Sequence, residues 1–202
     1  MRIGRLSVCA AVCYLASAVA HADQDRLHQL LENQVEQNNS VPLAVNILVQ
    51  NFPNASEVIL NEAYRTYPNA ITTIISGVAQ QQPALLAMAV DQALKLPGVD
   101  TSAVVKAAIH ADPACSDVVV SSAVNDEPAN FDKIISVALS TEPLAVDSIV
   151  QVTAAQHPDH VKELMSLVKK FVPDQLDEAM ATVNAIFAKD KPETEQANTL
   201  KP

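Results

Sequence analysis

Residues 128–142 read PANFDKIISVALSTE. Phe131, Ile134, Ile135 and Ala138 fall at i, i+3, i+4 and i+7, the stripe of an amphipathic helix with one buried face. Pro128 belongs to the first turn of that helix, where its missing N–H has no partner to lose and its fixed φ already suits helical geometry. Two further stretches repeat the arrangement. In PNAITTIISGVAQQQ (68–82) the stripe is Ile71, Ile74, Ile75 and Val78, and in PDHVKELMSLVKKFV (158–172) it is Val161, Leu164, Met165 and Val168.

The prolines extend this pattern along the chain. Pro53, Pro68, Pro83, Pro97, Pro113, Pro128, Pro143, Pro158 and Pro173 are separated by 15, 15, 14, 16, 15, 15, 15 and 15 residues. The slip at Pro97 is corrected one unit later. Each proline is expected to start a helix and, by pushing the residue before it out of the α region, to end the preceding one. A unit of this length predicts a helix of about 11 to 12 residues, roughly 17 Å long, and a turn of about three. Turns so short make neighbouring helices antiparallel, so the structural repeat is a 30-residue hairpin.

The predicted fold is all-α, an α-solenoid of about five short antiparallel helical hairpins. Leu27, Leu30, Leu31 and Val35 define an N-terminal capping helix, and Ser40-Val41-Pro42 opens a shorter unit that runs to Asn51. Leu176, Met180, Val183 and Ile186 mark a longer last helix, the other cap. Counting each proline as position 1, position 6 is apolar at Val58, Met88 and Val118 but polar at Thr73, Lys133 and Glu163. The wider apolar stripe predicts the more buried helix of each pair, with Ser148 as an exception. The period is shorter than that of tetratricopeptide or ankyrin units, and their signature residues are missing. The resemblance is to helical-hairpin solenoids in general, and it implies architecture only.

The chain divides into a signal peptide (1–22), one helical-repeat domain (23–189) and a disordered C-terminal tail (190–202). Arg2 and Arg5 precede an apolar stretch from Leu6 to Ala20, and Ala20-His21-Ala22 offers the cleavage frame. Export to the periplasm or the cell exterior follows, with a bacterial route favoured. Val8 before Cys9 and Val12 before Cys13 do not suit lipid attachment. Only Cys115 then remains, so no intrachain disulfide can form; it is either a small buried residue near a helix start or a thiol for an intermolecular bridge.

Without Arg2 and Arg5, 11 Lys+Arg face 23 Asp+Glu, a formal charge of −12. That balance argues against nucleic acid and anionic lipid as partners. Aromatic residues are 3% of the chain and tryptophan is absent, so stacking platforms for single strands or sugars are scarce. Gly77 and Gly98 are the only glycines beyond the leader, which leaves no glycine loop for phosphate, and no G-x-S-x-G elbow occurs. No cofactor is expected.

Three groups of side chains are candidates for function. His157 and His160 flank Pro158 and could ligate a metal, although zinc needs a third ligand that no spacing supplies. Tyr64, Arg65 and Tyr67 concentrate aromatic and cationic character at a helix end, a candidate protein contact. Glu57, Asp117, Asp132, Asp147 and Asp177 share position 5, where the helix dipole accounts for acids, and antiparallel stacking puts Asp132 at the opposite end from Asp117 and Asp147. Equivalent surface positions should recur every 30 residues.

The expected function is an exported scaffold binding a protein or peptide, or a structural component of the envelope, without catalysis. The alternative is a small-molecule or metal-binding module using His157 and His160. Self-association through complementary ends is a further expectation.

Overall fold

The computed structural model describes residues 24–189. The leader and the tail inferred from the sequence lie outside the described residues. Eleven helices follow one another: α1 (24–38), α2 (Val41–Asn51), α3 (Ser56–Thr66), α4 (Ile71–Gln81), α5 (Leu86–Leu94), α6 (Thr101–Ala111), α7 (Ser116–Asp126), α8 (Phe131–Thr141), α9 (Val146–Gln156), α10 (Val161–Phe171) and α11 (Leu176–Lys189). No strand occurs among the described residues. The architecture is an all-α solenoid of short helical hairpins. No single described helix is long and apolar enough to cross a membrane.

The fold has two compact units, divided between Ala70 and Ile71. In the first, α2 packs on α3, and α1 is tied to α3 by a His28–Glu62 contact. In the second, each helix packs against the one two places along, giving one layer of α4, α6, α8 and α10 and another of α5, α7, α9 and α11. Chain neighbours such as α6 and α7 join the layers. The chain turns by 116° between α8 and α9, so consecutive helices reverse obliquely.

Proline sets the ends of these helices by a two-step device. Pro128 opens a three-residue 3-10 turn, Pro128–Asn130, and α8 begins directly after it. The same turn precedes α3, α4, α5, α7, α9, α10 and α11. Its last N–H bonds the carbonyl before the proline, as Asn130 N does to Glu127 O at 2.9 Å. Glu127 N in turn caps α7 by donating to Ala123 O at 2.9 Å. Hence the residue before each proline closes one helix with its N–H and anchors the next turn with its carbonyl, leaving few backbone groups orphaned.

Pro97 departs from this rule. No 3-10 turn follows it, and α6 starts at Thr101 with the Asp100 carboxylate accepting from Ser102 N at 3.0 Å as an N-cap. The helices themselves never slip: Ile71, Thr101, Phe131 and Val161 open the four helices of one layer at constant spacing. Gly98 stands where the frame calls for proline, with φ of +79°. Gly98→Ala should therefore lower stability by about 1 kcal/mol through backbone strain alone, since an added Cβ meets nothing within 4 Å. Asp100→Ala should cost about as much by loss of the cap, and urea denaturation of both variants checks the pair.

The buried stripe is broader than four positions. Position 12 is buried as well, in Ala79, Leu94, Ile109, Val124 and Leu139. Position 6, by contrast, is no core position: Val118 is 41% exposed and Val58 57%. The wider stripe of α3 and α7 thus marks apolar surface rather than deeper burial, while Met88 on α5 is half-buried. At the far end, α11 is the longest helix of its layer, as expected; Ala179 and Val183 are buried while Met180 is exposed.

Candidate functional site

Position 6 is exposed because layer mates are staggered, and the stagger creates a groove. Ser122 on α7 reaches the carbonyl of Ala87 on α5 at 3.4 Å, and Thr182 on α11 reaches Asp147 on α9. Both pairs join position 10 of one helix to position 5 of its neighbour. Contacts across this layer therefore link residues 35 apart, as Ser121 and Gln156 also do at 2.8 Å, even though equivalent positions recur every 30. The stagger leaves a groove of about 400 Å³ across α5, α7 and α9, floored by Ala87, Val118, Ser121, Ser122 and Val152. Asp117 and Gln156 stand at its edges.

Carboxylates recur along this layer, and of these Asp117 lines the groove. Asp117, Asp147 and Asp177 occupy position 5 of α7, α9 and α11, and layer mates of small-residue helices lie about 8–10 Å apart. Asp132, on α8, belongs to the other layer, as antiparallel stacking requires. A second acidic pair sits in the groove's layer, where Asp126 on α7 faces Asp91 on α5. Burial, then the Asp91 carboxylate, raises the Asp126 carboxyl above its usual range. Lys95 pairs with Asp91 at 2.6 Å. Gln92 is buried at 5% exposure, and its Oε1 accepts from no donor.

His157 and His160 come close without forming a ligand set. Their rings meet edge to face at 6.4 Å, and His160 stacks on Phe131 at 4.6 Å. His160 Nδ1 is engaged by Glu163 at 2.9 Å, while the buried Nε2 of His157 has no hydrogen-bond partner. The hydrogen bond that the Asp132 carboxyl donates to Glu163 raises Asp132 above its usual range, and the hydrogen bonds with His160 and then Asp132 draw Glu163 below its own. Among the described residues no three His, Cys, Asp or Glu side chains converge as a metal set.

The cluster of Tyr64, Arg65 and Tyr67 is split by burial. Tyr64 is 1% exposed at position 12 of α3, a core residue that offers no contact surface, and its burial pushes the phenol's pKa up. Arg65 is exposed and Tyr67 half-buried. Beside them lies a feature the sequence did not signal: Glu62 on α3 is buried and accepts from Thr66 Oγ1 at 3.2 Å, while its Oε1 lies 2.8 Å from His28 Nδ1 on α1. Only repeat position 10, shared with Gln92, could have pointed to it.

The hydrogen bond to Glu62, with the charge of Glu32 added, raises the His28 pKa above 6.5. Its stabilising contribution is therefore complete below pH 6.5 and lost as pH rises through the folded value. NMR titration should show the elevated midpoint, and Glu62→Gln should return it toward 6.5.

Cys115 closes the 3-10 turn before α7 and is half-buried, with Sγ donating to Asp112 Oδ2 at 3.1 Å. Burial and Asp112 push its pKa to about 11. Thiolate at pH 8 is then scarcer by about 100-fold than for an ordinary cysteine. Alkylation should be slow by that factor, and Asp112→Asn should accelerate it.

Comparison of this chain with family models, with curated proteins and with solved structures gives no match.

Proposed function

We propose that this chain is an exported helical-repeat scaffold, without catalytic activity, that holds a protein or peptide partner against the layer of α5, α7, α9 and α11. The observation that supports this is the groove across α5, α7 and α9, whose floor includes apolar surface the core does not use. Repeat arrays gain extended binding surfaces by stacking, with no special residue at any one unit. A scaffold of this kind needs neither a nucleophile nor a cofactor.

Crosslinking in the native compartment, with photoreactive groups placed at Val118 and Val152, tests the reading. A partner captured through these positions, but not through Ser136 on the other layer, is the expected result. No adduct above background at either position would remove the scaffold reading.

A second reading is a small-ligand or metal site at His157 and His160, favoured by the unpartnered Nε2 of His157. Metal analysis of the purified mature chain decides it: no bound zinc or copper, and no change in Tm on adding either, dismisses the site.

A further inference from the structure

The groove and its charges together specify a kind of occupant, an inference that rests on the scaffold reading. The helices α5, α7, α9 and α11 carry six acids and one lysine, Lys189 at the last position of α11. The other layer carries five lysines and two acids. The groove thus lies on the acidic side of the sheet of helices in the second unit, and Asp117 at its edge has no hydrogen bond or ion pair among the described residues.

We propose that the groove binds an extended basic peptide segment with Lys or Arg at every third residue. Two lines converge on that spacing and sign. First, the position-5 carboxylates step from α7 to α9 to α11 by at least one interhelical distance, about 8–10 Å before the stagger is added, and an extended chain covers about 10 Å in three residues. A cation at every third position therefore meets Asp117, Asp147 and Asp177 in turn. Second, the floor is small or apolar, with Ala87, Ser121 and Ser122 low enough to admit a backbone and Val118 and Val152 for short apolar side chains between the cations.

Net charge reinforces the choice. A mature chain of −12 draws a cationic segment from a distance and repels an acidic one.

The test uses the purified mature chain and synthetic peptides, read by fluorescence anisotropy. One peptide has lysine at every third position and alanine or valine between; a second has the same composition with its lysines contiguous; a third replaces lysine by glutamate. The spaced peptide should bind at least about fivefold tighter than the contiguous one, the glutamate peptide not at all, and added salt should weaken binding. The triple variant Asp117→Asn, Asp147→Asn, Asp177→Asn should bind about tenfold more weakly and lose the preference for spacing. Val118→Arg, a change at an exposed side chain, should weaken the spaced peptide as well and guards against a triple variant that folds poorly.

Equal binding of the two lysine peptides, no binding of either, or binding unchanged in both variants would overturn the proposal. So would self-association of the chain through its lysine-bearing layer that the spaced peptide does not compete away. A native partner captured at Val118 but lacking a basic segment would sink this inference while leaving the scaffold reading intact.

Discussion

Deletion of Ser136 should cost at least about 4 kcal/mol of stability, enough to unfold many domains of this size. Deleting one residue inside α8 turns everything beyond it by about 100°. Ala138, buried, would then rotate off the core face, Leu139 would be forced into the smaller space that Ala138 holds, and Ser140 would take the position Leu139 holds. Glu142 would also arrive one residue early at the junction where its N–H caps α8 through Ala138 O at 3.0 Å. By contrast, one residue inserted between Pro97 and Asp100 should cost only about 1 kcal/mol, because that connection holds no 3-10 turn and α6 is started by its own cap. Urea denaturation followed by circular dichroism compares the two, and equal losses would show that proline phase does not control the register.

The second large effect belongs to the core. Ile135→Ala removes a fully buried side chain from the middle of α8 and should cost about 2–5 kcal/mol. Leu144→Ala, at a residue 86% exposed in the turn before α9, should change stability by less than about 0.5 kcal/mol. In a stacked array the damage from Ile135→Ala should fall first on α8 and its neighbours α6 and α10. Hydrogen exchange reads this directly: amides of α6, α8 and α10 should lose protection before those of α11. A loss under about 1 kcal/mol for Ile135→Ala would mean that the interior is not close-packed.

Element type and phase were legible in the sequence because proline acts locally. Its effects on φ and on the residue before it require no partner, so nine prolines read in order mark out nearly every junction. The exception at Pro97 shows what such reading omits, since a displaced proline looks like a displaced helix until Gly98 and the Asp100 cap are seen to restore the frame. Tyr64 could have been placed in the core by alignment: other units carry Leu94, Ile109, Val124 or Leu139 at the same position. Val118 could not have been placed, because whether position 6 meets a neighbour depends on the stagger between layer mates, which no single helix encodes. For the same reason the groove was invisible, being made by contacts 35 residues apart in a chain whose pattern repeats every 30. His28 and Glu62, which meet across 34 residues, belong to the same class of long-range juxtaposition.

The alternation of layers gives the repeat a parity. Inserting a whole hairpin of 30 residues between α7 and α8 would lengthen the groove by one step and leave each later helix on its present side. Inserting a single unit of 15 would instead exchange sides for every helix that follows, setting the lysines of α8 and α10 beside the carboxylates of α5 and α7. A lineage that grows or shortens such an array can keep its surface chemistry only by changing length in even numbers of helices.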